Sequence, residues 1–231
     1  MTFSKKDVTA WNIEYSHLKW GGLSETAWIW NYLEANDCLL DAGSGEGRYL
    51  REFCSKCSCI GIDVSENALQ RSLQQIEAAA EKQMKKQSNS EASTSIIPDH
   101  FVSSVFALPF ADSVFDGILC LGVLQHLTEE NRKKTVDEFF RVLKKGGHLF
   151  FEAFGESDMR CQGEAYPMEN PESRTFLRQN GIVYHYFEES EIRSLFESSG
   201  FSVLELKSLK KEKKYDGNVY IRHHYRAVLK K

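Results

Sequence analysis

The passage that most constrains this chain is Leu39-Leu40-Asp41-Ala42-Gly43-Ser44-Gly45-Glu46-Gly47-Arg48-Tyr49. Residues 38–42 are a short apolar run bounded by glycines, which reads as a buried strand. The run enters a turn with glycine at every second position. A helix follows over 48–56, with Tyr49, Leu50 and Phe53 on its apolar face. Glycines in such a turn adopt backbone angles closed to other residues and let the main chain approach a ligand. Residues 59–64 form a second buried strand carrying Asp63 near its end, eighteen residues after Gly45. That is close to the spacing at which a carboxylate accepts hydrogen bonds from a ribose.

A nicotinamide dinucleotide is the obvious competitor for this site, but its fingerprint is G-x-G-x-x-G and here the last glycine comes one residue early. Asp41, just before the turn, would repel a pyrophosphate and suits a cationic amino-acid ligand. The ammonium and sulfonium of S-adenosylmethionine supply one.

Apolar runs alternate with helical patterns along the rest of the chain, as in βαβ units built on a parallel sheet. Ser65 is a candidate N-cap for a helix from Glu66 to about Glu81. Residues 82–99 are Ser-rich and aperiodic and read as a mobile connector. Strands are expected around His100–Val105, Phe115–Leu121 and His148–Phe154, with an amphipathic helix over 129–143 stopped by Lys144-Lys145-Gly146-Gly147. Residues 155–186 look irregular. A helix over Glu188–Ser199 closes at Gly200, and Phe201–Leu209 and Val219–Leu229 form a hairpin around Tyr215–Asn218.

Four segments, LLDAGSGEGRYL, GIDVSENAL, ALPFADSVFDGILCLGVLQHL and RVLKKGGHLFFEAF, resemble the class I, Rossmann-like S-adenosylmethionine-dependent methyltransferases, in particular the type 11 group. The resemblance covers about residues 37–154. It implies an α/β fold with a seven-stranded, mostly parallel sheet of order 3-2-1-4-5-7-6, helices on both faces and an antiparallel C-terminal hairpin. One domain, 1–231, would comprise a helical, aromatic lid (1–36), a cofactor-binding core (37–154), and a substrate insert with the hairpin (155–231). By resemblance Asp41, Gly43, Ser44, Gly45 and Gly47 form the loop around the methionine part of the cofactor. Asp63 would hold the ribose and Val64 the adenine, while Leu121 borders the site. Many relatives place an acid four residues before Leu108-Pro109-Phe110 to receive the adenine amino group. Here that position is Ser104, which leaves adenine recognition to Ser104 and the main chain of Val105 and Phe106. Tyr15 and Trp20 are the residues expected to close over the cofactor.

In open α/β sheets ligands bind beyond the carboxyl ends of the strands. That puts Gly122, Val123, Gln125 and His126 opposite the transferred methyl group. His126 is the titratable residue there, a candidate general base or an orienting group. In the insert, Arg160, Glu164, Arg174, His185 and Tyr186 are candidates for a polar substrate pocket, and the arginines would favour an anion. Lysines over 207–214 raise RNA as an alternative substrate. The formal net charge of −4 favours a small molecule over RNA or protein. A module that binds S-adenosylmethionine without transferring its methyl group is a further alternative.

No apolar run approaches the length of a membrane span, and residues 1–11 lack the apolar core of a secretory signal. Both point to a cytoplasmic chain with reduced cysteines. Cys54, Cys57 and Cys59 are spaced like metal ligands, but zinc wants a fourth and none is near, so no metal is expected. Nothing in the sequence addresses oligomeric state.

Overall fold

The computed structural model describes residues 5–17, 25–86, 98–163, 165, 167 and 172–231. In chain order these form α1 (Lys5–His17), α2 (Ala27–Trp30), β1 (Cys38–Ala42), α3 (Arg48–Phe53), β2 (Ser58–Asp63), α4 (Glu66–Lys86), β3 (Asp99–Val102) and β4 (Phe115–Leu121). They continue as a 3-10 turn (Leu124–His126), α5 (Glu129–Val142), β5 (Leu143–Phe154), β6 (Thr175–Leu177), β7 (Val183–His185), α6 (Glu189–Ser198), β8 (Ser202–Tyr215) and β9 (Asn218–Lys230).

Seven strands form one sheet in the order β3-β2-β1-β4-β5-β9-β8. The first five run parallel, and β9 is antiparallel to both β5 and β8. Counted within this sheet, the order is the expected 3-2-1-4-5-7-6. The higher labels arise because β6 and β7 pair with each other in a separate two-stranded sheet. That small hairpin corrects the irregular reading of 155–186. Its strands are three residues each, too short to leave a periodic signal.

The central strands are apolar on both faces, as strands covered by helices on each side must be. Leu39, Leu119, Phe150 and Val228 pack with Ile29, Leu50 and Phe53 on one side. Leu40, Ile118, Phe151 and Leu229 pack with Phe139, Phe196 and Phe201 on the other. Trp28, Trp30 and Tyr32 cover the first layer, Trp30 stacking on Phe53 at 4.6 Å. Cys54, Cys57 and Cys59 belong to the same layer as free thiols, and burial pushes Cys57 up to about 11.

Two boundaries differ from expectation. α4 runs to Lys86 and takes in the start of the expected connector, whose residues 87–97 lie outside the described part. Ser65 caps this helix as expected, its Oγ accepting from the Ala68 amide at 3.2 Å. β5 begins at Leu143 instead of His148. Its register against β4 jumps from Phe115↔Leu143 to Gly117↔His148, and Gly146 donates to the Lys231 carbonyl at 2.9 Å. A bulge thus keeps the Lys-Lys-Gly-Gly segment within the sheet.

The C-terminal hairpin outruns its sheet. β5 ends at Phe154, paired with His224, so residues 218–223 of β9 pair with β8 alone. The free end of the hairpin therefore projects past the carboxyl end of β5. Among the described residues, no helix is long and apolar enough to cross a membrane.

Candidate active site

The site grows from two adjacent carboxyl ends, those of β1 and β2. Gly43, Gly45 and Gly47 have φ of +77°, +52° and +68°, angles that strain any residue with a Cβ. At Gly45 a Cβ would also lie 2.5 Å from the Tyr15 hydroxyl. The turn is tied to β2: the amides of Gly43 and Ser44 both donate to the Ile62 carbonyl at 2.8 Å. Asp63 then accepts from the Gly45 amide at 3.0 Å and the Ser65 amide at 2.8 Å. One carboxylate thus fixes the glycine loop to the start of α4.

Two buried acids lie side by side beneath this loop. Asp41 is 2% exposed, and its Oδ2 has no hydrogen-bond partner. Burial pushes its carboxyl up to about 7, with Arg48 pulling down and Asp63 pushing up. Burial likewise lifts Asp63 to about 6, against the hydrogen bonds from Ser65, Gly45 and Val64. A buried carboxylate with an orphaned oxygen is costly unless a donor or cation meets it. The donor set therefore fits a ligand with a positive charge near Asp41 and hydroxyls near Asp63.

α1 lies across the loop. Ser65 Oγ donates to Asn12 Oδ1 at 2.7 Å, the Asn67 side chain donates to the Asn12 carbonyl at 3.1 Å, and Asn180 donates to Glu14 at 3.1 Å. The helix is thus clasped to α4 on one side and to the β6–β7 turn on the other. Tyr15 lies over the loop, its hydroxyl raised by burial and by Asp63 and Glu46. Trp20 lies outside the described residues.

Trp11, Tyr15, Gly43, Asp63, Val64, Ser103, Val105, Gly122, Val123, His126 and Leu127 line a narrow cleft at the carboxyl ends of the strands. A wider, contiguous opening adds Ser44, Gly45, Glu46, Arg48, Leu121, Gln125, Glu152, Phe154, Arg160, Lys213, Arg222 and His224. Of the expected adenine-side residues, Val64 and Val105 line the cleft. Ser103 lines it in place of Ser104, whose hydroxyl instead accepts from the Phe106 amide at 3.3 Å. Phe106 is buried and is not among the cleft-lining residues.

His126 sits in an aromatic box, edge-on to Trp11 at 4.9 Å and to Tyr184 at 4.7 Å. Its Nδ1 lies 2.8 Å from the Val183 carbonyl and therefore carries the proton. Nε2 then faces the Gln125 amide nitrogen at 3.3 Å. Gln125 is itself buried and fixed by the Phe154 amide, which donates to its Oε1 at 3.0 Å. Burial lowers His126 to about 4 against the Val183 hydrogen bond, with Arg160 lowering it further. The ring is thus neutral at ordinary pH and engaged on both nitrogens.

The insert residues divide. Arg160 reaches the wider opening, whereas Arg174, His185 and Tyr186 lie elsewhere, which corrects their grouping into one polar pocket. Arg174 pairs with Glu188 at 2.8 Å and Glu191 at 3.6 Å. His185 is buried between Glu172 and Glu191 and contacts Thr175. Tyr186 is fully buried and accepts from Arg178 at 2.8 Å. Glu164 lies outside the described residues. Glu172, His185 and Glu191 bring ligand-type atoms within 4.8 Å of one another. The guanidinium of Arg132, nearly buried, pairs with both carboxylates and supplies their positive charge itself.

Some lining residues escape the sequence reading. Trp11 had a usable signal, since it stands four residues before Tyr15 on one helical face. Arg222, Lys213 and His224 had none, because their place depends on the register of β8 against β9 and on how far the hairpin overshoots β5.

Residues 40–151 match the methyltransferase domain family. The chain is 24% identical to the S-adenosylmethionine-dependent methyltransferase structure from Methanosarcina mazei, covering 90% of this chain and 99% of that one, with a TM-score of 0.66. It is 30% identical over 118 residues to a tRNA (carboxymethyluridine(34)-5-O)-methyltransferase of Arabidopsis thaliana, covering 51% of this chain and 24% of the relative. It is 27% identical over 115 residues to a ubiquinone/menaquinone biosynthesis C-methyltransferase of Klebsiella pneumoniae, covering 45% of each. The chain thus spans less than half the length of these two relatives.

Proposed function

From the premise that residues 40–151 are a class I, Rossmann-like methyltransferase domain, we propose that this chain transfers the methyl group of S-adenosylmethionine to a small-molecule acceptor. The observation that carries the cofactor reading is the orphaned, buried Asp41 carboxylate beside a loop in which only glycine fits. Asp41 would meet the cationic amino-acid end, Asp63 the ribose hydroxyls, and Val64 and Val105 the adenine. Bound there, S-adenosylmethionine supplies a methyl group on a positive sulfur, which an acceptor lone pair takes while the S–C bonding pair returns to sulfur.

The protein's own contribution is positioning, which provides much of the rate when the leaving group is already good. Tyr15 and Trp11 on α1 exclude water from the transfer end and present ring faces to a cation. His126 is an orienting group, not a base: its Nδ1 proton is held by Val183 and its Nε2 lone pair faces Gln125. A small acceptor is favoured by the formal net charge of −4, which argues against a phosphate backbone as partner. The tRNA reading draws on the Arabidopsis relative and on the lysines of β8.

Titration calorimetry should show S-adenosylmethionine and S-adenosylhomocysteine binding, with NAD inert. Labelled S-adenosylmethionine supplied to separated RNA, protein and small-molecule extracts should then label the small-molecule fraction. Label confined to RNA or protein overturns the acceptor class. Cofactor binding without label anywhere favours a binding module that transfers nothing.

A further inference from the structure

Beside the transfer end of the cleft, two arginines from distant parts of the chain share one acid. Asp158 is 3% exposed. Its Oδ1 accepts from Arg160 Nε at 2.7 Å and from the Arg160 amide at 3.1 Å. Its Oδ2 accepts from Arg222 Nε at 3.0 Å and from the His223 amide at 3.0 Å, with Arg160 Nη2 at 3.3 Å. Burial alone would raise this carboxyl, but the bonds from Arg160 and His223 and the Arg160 charge bring it down to about 2. It is therefore an anion throughout the neutral range, spent on orienting two guanidinium groups.

The arrangement leaves an excess of positive charge facing the cleft. Both arginines are about 30% exposed, with side-chain values of 32% and 28%, and both line the wide opening. Asp158 takes the Nε side of each, so both Nη atoms of Arg222 and Nη1 of Arg160 are left for a ligand. Arg160 is further immobilised over the Phe154 ring at 4.1 Å. Of the nearby acids, Glu152 pairs with Arg226 at 3.0 Å, and Glu156 accepts from the Tyr225 hydroxyl at 3.4 Å and lies 3.7 Å from His223, outside the residues that line the opening. Across the hairpin, Lys211 stands directly opposite Arg222. Like charges so placed are destabilising, and an anion between the strands and Arg160 relieves that repulsion.

We propose that Arg160 and Arg222, held by Asp158, form an anion subsite that receives a carboxylate or phosphate group of the methyl acceptor. The proposal rests on the methyltransferase reading and adds the acceptor's chemical class. A rigid pair of forked donors matches the planar edge of such an anion. Phe154, His126 and Trp11 then face the remainder of the acceptor, toward the glycine loop.

The test uses the full chain saturated with S-adenosylhomocysteine, titrated at constant ionic strength with inorganic phosphate and, separately, with benzoate. At least one should bind, and the one that binds tells phosphate from carboxylate. Arg160→Gln and Arg222→Gln should each weaken that anion at least tenfold, while Lys214→Gln, on the other face of the hairpin, should not. Arg222→Lys keeps a charge for Asp158 but loses the fork, and should also lose the anion, which guards against a merely misfolded Gln variant. Binding of S-adenosylhomocysteine with no response to either anion, or anion binding that survives all three arginine variants, overturns the subsite. Failure to bind S-adenosylhomocysteine at all instead overturns the methyltransferase reading.

Discussion

The two halves of the cleft are built by different means. The glycine-loop half is held by main chain: three left-handed glycines, amides on the Ile62 carbonyl, and one carboxylate bridging two amides. The half made by the insert and the hairpin is held by side-chain charge, with Asp158 clamping two arginines, and behind it an internal cluster outside the cleft sets Arg132 against two glutamates. Backbone devices demand particular residues at fixed spacing and tolerate little else. Ion clusters demand only complementary charges that happen to meet. On the reading proposed above, the first half would hold the cofactor and the second the methyl acceptor.

The largest effect expected from this contrast is in the charged half. Arg132 is almost wholly buried, donates to the Leu127 carbonyl at 2.7 Å, and ties α5 to Glu191 of α6 and to Glu172. Arg132→Met should cost about 3–5 kcal/mol in denaturant unfolding, because two carboxylates lose their cation in the interior. A cost near 1 kcal/mol would mean that water already reaches the cluster.

Next comes a paired test of the backbone half. A Cβ at Gly47 would lie 1.9 Å from Ser72 Oγ and 2.9 Å from its Cβ, at φ +68°. Gly47→Ala should destabilise by about 3 kcal/mol, adding left-handed strain to overpacking. Gly217 at the hairpin tip has a similar φ of +79° but nothing within 4 Å, so Gly217→Ala should cost only about 1 kcal/mol. Equal costs would show that strain, and not the close packing of the loop, sets the requirement for glycine.

The same division explains what could be read from sequence. Gly43, Gly45, Gly47, Asp41 and Asp63 were legible because local backbone geometry fixes both their identity and their spacing. The central parallel strands β1, β4 and β5 were legible as apolar runs buried on both faces. Arg222 was not, since a hairpin's overshoot depends on where its neighbour β5 stops. Arg174 and His185 were misplaced for a related reason: composition marked them as polar, but only packing against α6 decides that they serve an internal ion cluster and not the cleft. Ser103 replaced Ser104 through a one-residue difference in where the loop after β3 turns its side chains.

Asp63→Ala sharpens the comparison at the level of the cofactor. The substitution frees the amides of Gly45 and Ser65 and would remove the acceptor proposed for the ribose. Affinity for S-adenosylhomocysteine should fall by roughly 1.5–3 kcal/mol in calorimetry, the range for a hydrogen bond to a charged group. Lys214→Gln on the hairpin should leave that affinity unchanged. Equal affinity in Asp63→Ala would place the ribose elsewhere.

The smallest effect expected is one of sign, read from pH. Asp41 and Asp63 are raised to about 7 and 6, so the free protein holds these protons more tightly than the unfolded chain does. Their contribution to stability is fully present below the ordinary carboxylate range and is lost as pH rises through 6 and 7. Asp158, lowered to about 2, acts oppositely: its contribution is present above pH 4 and is lost only as pH falls toward 2. On the proposed reading binding would reverse the first pair, because a cation beside Asp41 and ribose donors on Asp63 would favour the ionised carboxylates. Affinity for S-adenosylmethionine should therefore rise by about tenfold between pH 5.5 and 8, with protons released on binding. Asp41→Asn should flatten most of that rise, since Asp41 is the group that titrates nearest neutrality. If the affinity were flat with pH in the unsubstituted protein, Asp41 would already be satisfied from within. The glycine-loop half would then be closed by protein charges, as the internal Arg132 cluster is.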